Sequence, residues 1–134
     1  MSTEFLMDEH CFACGMSNAN GLKLRITESG DGVRARIEPP KWSQGYSRVV
    51  HGGIIATILD ELAVWAAFKK GYRSVTAEFN MRIKQSMNVD QTYTAQARVC
   101  NTKHRLIEAE SRIIDGKNAP VVFAHVKLLE IESL

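Results

Sequence analysis

A histidine, two glycines and two carboxylates lie close together in the segment VVHGGIIATILDEL. His51, Gly52 and Gly53 stand at the start of a long apolar run, and Asp60 and Glu61 lie within it. Glycine at the start of a helix leaves room for a substrate carbonyl to reach N–H groups that have no partner inside the helix. A nearby carboxylate can serve as a general base or a nucleophile. These residue types suit chemistry at a carbonyl carbon, although a plain glycine-rich helix start with His51 as a capping residue would look similar.

A single long helix must position these groups. The apolar run predicts a helix from about Gly52 to Lys70, ended by Gly71. At 100° per residue, Asp60 lies on a stripe of small residues that another backbone or a ligand can approach, whereas Glu61 lies among bulkier ones. Asp60 is therefore favoured for chemistry, against the alternative that the pair is the solvated edge of a core helix. The arc predicted to face a sheet consists of Ile55, Ile58, Leu59, Leu62 and Ala66.

The distance between the Gly52 N–H and the Asp60 carboxylate constrains how they can act together. Gly52 and Asp60 are eight residues apart, which corresponds to about 12 Å of helix rise. An oxyanion donor must lie about 3 Å from the reacting oxygen. One helix cannot easily present both groups to one carbonyl, but two antiparallel copies can. The spacing therefore predicts a site shared across a two-fold dimer interface.

The rest of the chain alternates between apolar and polar residues, as strands do. GLKLRITE and VRARIE, joined by the turn SGDG, precede the helix, and about four strands follow it. In the first of these, SVTAEFNMRIK, strict alternation places Thr76 on the same face as Glu78 and Asn80. We expect an α+β fold in which a strongly curved antiparallel sheet wraps around a central helix. It forms one domain over residues 1–134, with an irregular lead of about 20 residues.

Composition narrows the functional class. The chain has 134 residues, 45% of them hydrophobic and 24% charged, with a net charge of +2 spread along its length. This argues against a nucleic-acid or membrane-surface protein, in which basic residues are concentrated. The start, MSTEFLMDEH, does not have the pattern of a secretory signal. Three cysteines, an odd number, indicate reduced thiols and a cytoplasmic location.

Two of the cysteines are candidate metal ligands. His10, Cys11 and Cys14 could begin a zinc site, but a structural zinc site needs four ligands. The remaining cysteine, Cys100, lies in a strand pattern, where we expect a small core residue. The sequence therefore predicts neither a metal nor a cofactor.

The segment HGGIIATILDE, with QGYSRVV before it and SVTAEFNMRIK after it, closely resembles the hotdog-fold acyl-CoA thioesterases. The match is to the branch that contains the phenylacetate-pathway thioesterase and the human mitochondrial thioesterase superfamily members. The lead, CFACGMSNANGLKL, is similar to the opening of many bacterial members. The resemblance covers nearly the whole chain. It implies a hotdog fold, with a curved antiparallel sheet of about 5–6 strands around one long central helix.

Carried over residue by residue, the resemblance makes Asp60 the catalytic carboxylate and Gly52 the backbone oxyanion donor. His51 becomes an active-site histidine near the thioester, and Thr76, on the strand after the helix, joins the site. At one position the chain departs from the family pattern in a way that concerns carbonyl binding or the placement of water. Many members carry an asparagine six residues before the histidine, where this chain has Gly45, and the neighbouring Gln44 is the candidate to supply the missing amide.

The implied reaction is hydrolysis of an acyl-CoA thioester to free acid and coenzyme A, by a homodimer or by a homotetramer built as a dimer of dimers. The carboxylate either activates water or attacks to give an anhydride. The alternative is a non-catalytic hotdog module that binds acyl-CoA or another small ligand. The acyl group and its carrier, coenzyme A or acyl carrier protein, stay open. The phosphates of coenzyme A need cationic partners. Candidate substrate-binding residues are Gly53, Gln44, Glu61 (with a structural or supporting role), Arg82, Lys84, Lys103, His104 and Arg105.

Overall fold

The fold combines one long α-helix with one six-stranded sheet. The structure, a computed structural model, describes residues 8–131. Helix α1 spans Gly52–Lys69, and a turn of 3-10 helix spans Lys41–Ser43. The strands are β1 (Thr27–Ser29), β2 (Gly32–Ile37), β3 (Ser74–Ile83), β4 (Tyr93–Lys103), β5 (Leu106–Ile114) and β6 (Pro120–Glu130).

The sheet is antiparallel throughout and has the order β1-β2-β4-β5-β6-β3. Helix α1 packs against every strand from β2 to β6, so the sheet curves around it. The predicted α+β fold, with a curved antiparallel sheet around one long helix, is confirmed. No helix within residues 8–131 combines the length and apolarity that a membrane crossing requires.

The bounds and the buried face of α1 agree with the sequence pattern. Gly71 has φ 97°, a left-handed conformation that glycine adopts without a Cβ clash. Its N–H donates to the Phe68 carbonyl, and the N–H of Tyr72 donates to Ala67, which together form a Schellman cap. All five residues of the predicted arc are buried, with relative exposures of 2% or less.

The first predicted strand is only partly correct. β1 begins at Thr27, because the preceding segment pairs with the lead instead of the sheet. The N–H groups of Leu22 and Leu24 donate to the carbonyls of Phe12 and Ala13, at 2.7 and 2.9 Å. Lys23, between them, has φ 52°, which is incompatible with a strand.

A β-bulge changes the facing of residues in β3. The register with β6 shifts between Thr76 and Glu78, so Ala77 is an extra residue on β3. Thr76 pairs with Leu128, which is fully buried, whereas Glu78 pairs with Lys127. The prediction that Thr76 shares a face with Glu78 is therefore wrong, since each inserted residue reverses the alternation.

A similar register shift affects the end of β4. It lies between Val99 and Asn101, and it places Cys100 at the surface. The Cys100 thiol contacts the Glu108 carbonyl oxygen at 3.4 Å. The prediction of a core cysteine is wrong at this position for the same reason as in β3.

Candidate active site

The N-terminus of α1 exposes one backbone donor. His51 is the N-cap residue, and its Nδ1 accepts a hydrogen bond from the Gly53 N–H at 2.9 Å. The Gly52 N–H makes no hydrogen bond to any of residues 8–131, and a Cβ built on Gly52 would meet no atom within 4 Å. The Gly52 N–H therefore has no partner within these residues, and the space beside the Gly52 Cα is open at the positive end of the helix. The hydrogen bond to His51 Nδ1 uses the Gly53 N–H. Because Nδ1 accepts it, the proton of a neutral His51 ring lies on Nε2.

Asp60 is held by a residue from the sheet. The Thr76 hydroxyl on β3 donates to Asp60 Oδ1 at 2.6 Å, a distance typical of a hydrogen bond to a carboxylate. The bulge in β3 produces this contact, because it brings Thr76 to the helix side of the strand. Asp60 is half-buried, and its Oδ2 receives no hydrogen bond from the described part of the chain. The carboxylate is thus oriented through one oxygen while the other can face a reactant.

The small-residue stripe around Asp60 is only partly open. Ala63 and Ala67 are fully buried within the chain's own core, whereas Gly53 is exposed and Ala56 is half-buried. In the C-terminal half of the stripe, Ala63 and Ala67 are thus covered by the chain itself, and Val64 is half-buried. Close approach remains open along the N-terminal half, up to Asp60.

The loop before α1 uses the Gln44 amide locally. Gln44 Oε1 accepts the Arg48 N–H at 3.0 Å. Gly45, the position at which the resemblance implies an asparagine, lies against the His51 ring, with 3.3 Å from an ideal Cβ to Cδ2. The side-chain oxygen of Gln44 therefore helps to hold the loop, and the side-chain NH₂ is the part that could reach a substrate. The expected replacement of the missing asparagine stays a prediction.

The cationic candidates fall into two groups at opposite ends of the sheet. Lys103, His104 and Arg105 form the exposed β4–β5 tip, and the adjacent Leu106 lies in the same row of the sheet as the start of β3. That row places the tip about two strand spacings, or roughly 10 Å, from the start of β3. Arg105 is partly committed, since its guanidinium donates to the Glu130 carbonyl at 2.8 and 3.2 Å.

The second cationic group lies toward the other end of β3. Arg82 is exposed on the outer face of the sheet, next to Phe123 on β6. Lys84 Nζ lies 5.7 Å from the centroid of the Phe123 ring. Neither residue is brought to Asp60 within one chain.

Glu61 contacts the lead. Its Oε2 accepts from the Cys11 thiol at 3.4 Å, and the Cys14 N–H points to Cys11 Sγ at 3.5 Å. Burial, followed by hydrogen bonding with Glu61 and its charge, raises the pKa of the Cys14 thiol. Glu61 therefore has a different environment from Asp60. These partners precede Glu61 by about 50 residues, a separation at which the spacing of residues along a helix or strand gives no signal.

A protein-family match covers most residues of this candidate site. The family model described as "Thioesterase superfamily" matches residues 48–122, more than half of the chain, and the matched region includes α1 and β3. An uncharacterized protein of Schizosaccharomyces pombe is 27% identical over 88 residues. That match covers 66% of this chain but only 45% of the yeast protein, so it spans less than half of that relative.

Solved structures of similar fold include several thioesterases. A thioesterase superfamily protein matches with a TM-score of 0.86 and 21% identity, over 91% of this chain and 61% of its own. A hypothetical thioesterase from Streptococcus pneumoniae, solved with coenzyme A, gives 0.75 and 17%, over 81% and 85%. The PaaI protein from the phenylacetic acid degradation operon of E. coli gives 0.75 and 16%, over 81% and 84%. At these identities the matches establish a shared fold.

Proposed function

The chain belongs to the thioesterase superfamily, and on that premise we propose that it hydrolyses an acyl-CoA thioester to a free acid and coenzyme A. The observation that carries the proposal is the Thr76–Asp60 hydrogen bond of 2.6 Å, which orients a half-buried carboxylate with one oxygen uncommitted. A carboxylate held in this way is suited to take a proton from water or to attack a carbonyl carbon.

Asp60 can cleave the thioester by either of two routes. In the first, a water oxygen bonds to the thioester carbon while Asp60 Oδ2 takes the proton of the water. The C–S bond then breaks, and the coenzyme A thiolate accepts that proton. In the second, Oδ2 itself bonds to the carbon and expels the thiolate. A water molecule then cleaves the resulting anhydride, which frees the acid and the Asp60 carboxylate, and one proton of that water goes to the thiolate. In both, the Gly52 N–H donates to the oxyanion, with His51 at its side.

A shared dimer site reconciles the positions of these groups. Gly52 and Asp60 lie eight residues apart on the same helix, or about 12 Å along it, so one chain does not bring them to one carbonyl. β3 is an edge strand of ten residues with mostly exposed side chains, and it carries Thr76. Unpaired edges of this length are templates for pairing with another chain. We infer a homodimer in which β3 strands meet about a two-fold axis and each α1 completes the site of its partner.

Antiparallel pairing of two β3 strands would also bring the two groups of cationic candidates close to each other. It would bring the Arg82 and Lys84 end of one β3 toward the Thr76 end of the other, near the partner's β4–β5 tip. The two groups, separated in one chain, would then flank one site and could bind the phosphates of coenzyme A. The coenzyme A held by the S. pneumoniae structure of similar fold supports this class of ligand.

Thiol release from a panel of acyl-CoAs of short, long and aromatic acyl groups tests the proposal. Wild type should release thiol, and Asp60→Asn should lose nearly all of the activity while it keeps its fold by circular dichroism. Glu61→Gln serves as the neighbouring carboxamide control and should keep far more activity. If wild type releases no more thiol than Asp60→Asn with every substrate, the hydrolase proposal fails.

The alternative, a non-catalytic module that binds acyl-CoA, gives a different result. It predicts binding of acyl-CoA by calorimetry without thiol release, and equal behaviour of wild type and Asp60→Asn. The dimer is tested separately by sedimentation equilibrium. A monomer at micromolar concentration would contradict the shared site.

A further inference from the structure

The two cysteines of the lead and a carboxylate of α1 form a cluster outside the proposed active site. The thiol sulfurs of Cys11 and Cys14 and one carboxylate oxygen of Glu61 all lie within 4.8 Å of one another. All three residues are half-buried. We propose that these three side chains bind one thiophilic divalent cation, Zn²⁺ in particular, with a water molecule as the fourth ligand.

The spacing of the ligand atoms fits a tetrahedral ion. Zinc bonds of about 2.3 Å to sulfur and about 2.1 Å to oxygen, at tetrahedral angles, place two sulfurs about 3.8 Å apart and a sulfur and an oxygen about 3.6 Å apart. The Cys11 Sγ to Glu61 Oε2 distance is 3.4 Å, close to the second value. Three protein ligands with one open position are a known zinc arrangement, and thiolates select zinc over magnesium or calcium.

The backbone holds the two thiols in place. The Gly15 N–H donates to the Cys11 carbonyl at 2.8 Å, and the Cys14 N–H points to Cys11 Sγ at 3.5 Å. An N–H directed at sulfur stabilises a thiolate, as it would a metal-bound one. A Cβ on Gly15 would collide with the Glu9 carbonyl oxygen and lie 2.6 Å from the Cys11 nitrogen, so this turn requires glycine.

The rest of the lead supports the same geometry. The two carbonyls between the cysteines, those of Phe12 and Ala13, accept the N–H groups of Leu22 and Leu24. Ala13 is 3% exposed and packs into the core. The loop is therefore fixed before any ion arrives, and the loss of conformational entropy on binding is small.

The charge of the cluster also calls for a cation. Glu61 makes no salt bridge with any lysine, arginine or histidine among residues 8–131. Its half-buried carboxylate accepts a hydrogen bond from the Cys11 thiol, but no cationic side chain in this range offsets its negative charge. On binding, the two thiols would release their protons, and the divalent ion would offset two of the three negative charges and join the lead to α1, at the residue next to Asp60. The inference does not depend on thioester hydrolysis.

Cobalt binding to the full-length chain tests the proposal. Protein prepared with reductant and stripped by a chelator is titrated with Co²⁺, then with Zn²⁺ in competition. We expect one equivalent of cobalt, a thiolate-to-cobalt charge-transfer band and the intense visible bands of tetrahedral coordination. Zn²⁺ should abolish these bands and raise the melting temperature.

Variants assign the ligands. Loss of an outer-shell partner already weakens metal binding by about 10–100-fold, so Cys11→Ser and Cys14→Ser should each weaken it by at least about 100-fold. Glu61→Gln should keep the thiolate band with affinity reduced by about tenfold or more. Cys100→Ser is the matched control and should bind like wild type, since Cys100 lies on the exposed end of β4.

Alkylation mapped by mass spectrometry provides a second measurement on wild type, independent of whether the variants fold. Zn²⁺ should protect Cys11 and Cys14 from alkylation and leave Cys100 unprotected. The proposal is overturned if folded wild type shows no thiolate-to-cobalt band, or if the band persists in both cysteine variants. It is also overturned if Cys11 and Cys14 are joined in a disulfide in the reduced preparation.

Discussion

The hydrogen bond from Thr76 to Asp60 offers the sharpest test of how the site is organised. Thr76→Val preserves the shape of the side chain and its suitability for a strand but removes the hydroxyl donor. A hydrogen bond to a charged group contributes about 1.5–3 kcal/mol, and this one is short at 2.6 Å. If the bond holds Asp60 in its reactive position, its loss raises the barrier by that amount. At about 1.4 kcal/mol per factor of ten, kcat/KM should fall by about 10–100-fold.

The assay separates this effect from loss of structure. Because Thr76→Val also removes this bond from the folded state, the free energy of unfolding should fall by no more than about the same 1.5–3 kcal/mol, and circular dichroism should show a folded variant under the assay conditions. Thiol release should show a lower kcat with KM nearly unchanged, because the substitution affects the reacting carboxylate rather than substrate binding. Thr76→Ser keeps the donor and should retain most of the activity. In an Asp60→Asn background, Thr76→Val should cause little further loss, since the two residues act as a unit.

Two outcomes would refute the reasoning. One is that Thr76→Val keeps kcat/KM within about twofold of wild type while Asp60→Asn is inactive. The hydrogen bond would then be structural. The other is that Thr76→Ser is as impaired as Thr76→Val, which would assign the effect to the lost methyl group rather than to the hydroxyl.

Two further predictions concern the scaffold. Leu62 is fully buried on α1, so Leu62→Ala should lower the free energy of unfolding by about 2–5 kcal/mol in urea denaturation. Leu129 is 43% exposed, so Leu129→Ala should lower it by clearly less. Equal losses would contradict the assignment of the core. The Asn101 amide, which donates to Glu108, is the main cause of the lowered pKa of that carboxyl. A lowered folded-state pKa gives stability that is present above the unfolded pKa and lost as pH falls through the folded value. Asn101→Ala should therefore raise the pKa of Glu108 in a carbon-13 NMR titration and reduce this acid-side loss, and an unchanged pKa would exclude the amide as the cause.

The helix and the β1–β2 hairpin were predictable because their signals are local. The apolar spacing that buries Leu59 and Leu62 repeats every three to four residues, and Gly71 ends the helix by its own backbone conformation. The β1–β2 hairpin follows from the turn residues SGDG between two alternating segments. Each of these features depends on neighbours within a few positions.

The facing of the strands was not fully predictable. Alternation has a period of two only while neither strand gains a residue, and both β3 and β4 contain a bulge. The bulge at Ala77 brings Thr76 to Asp60, and the shift after Val99 moves Cys100 to the surface. A bulge depends on the partner strand and leaves no clear signal in the pattern itself.

The sequence by itself determined the long apolar helix, the separation of Gly52 from Asp60 along it, and the different sides of the helix on which Asp60 and Glu61 lie. These follow from the fixed rise and rotation of an α-helix. Only the tertiary structure decided the partner of each carboxylate, Thr76 for Asp60 and the two lead cysteines for Glu61. The physical reason is that such contacts join segments 16 and 50 residues apart, and where those segments cross depends on the packing of the whole sheet against the helix.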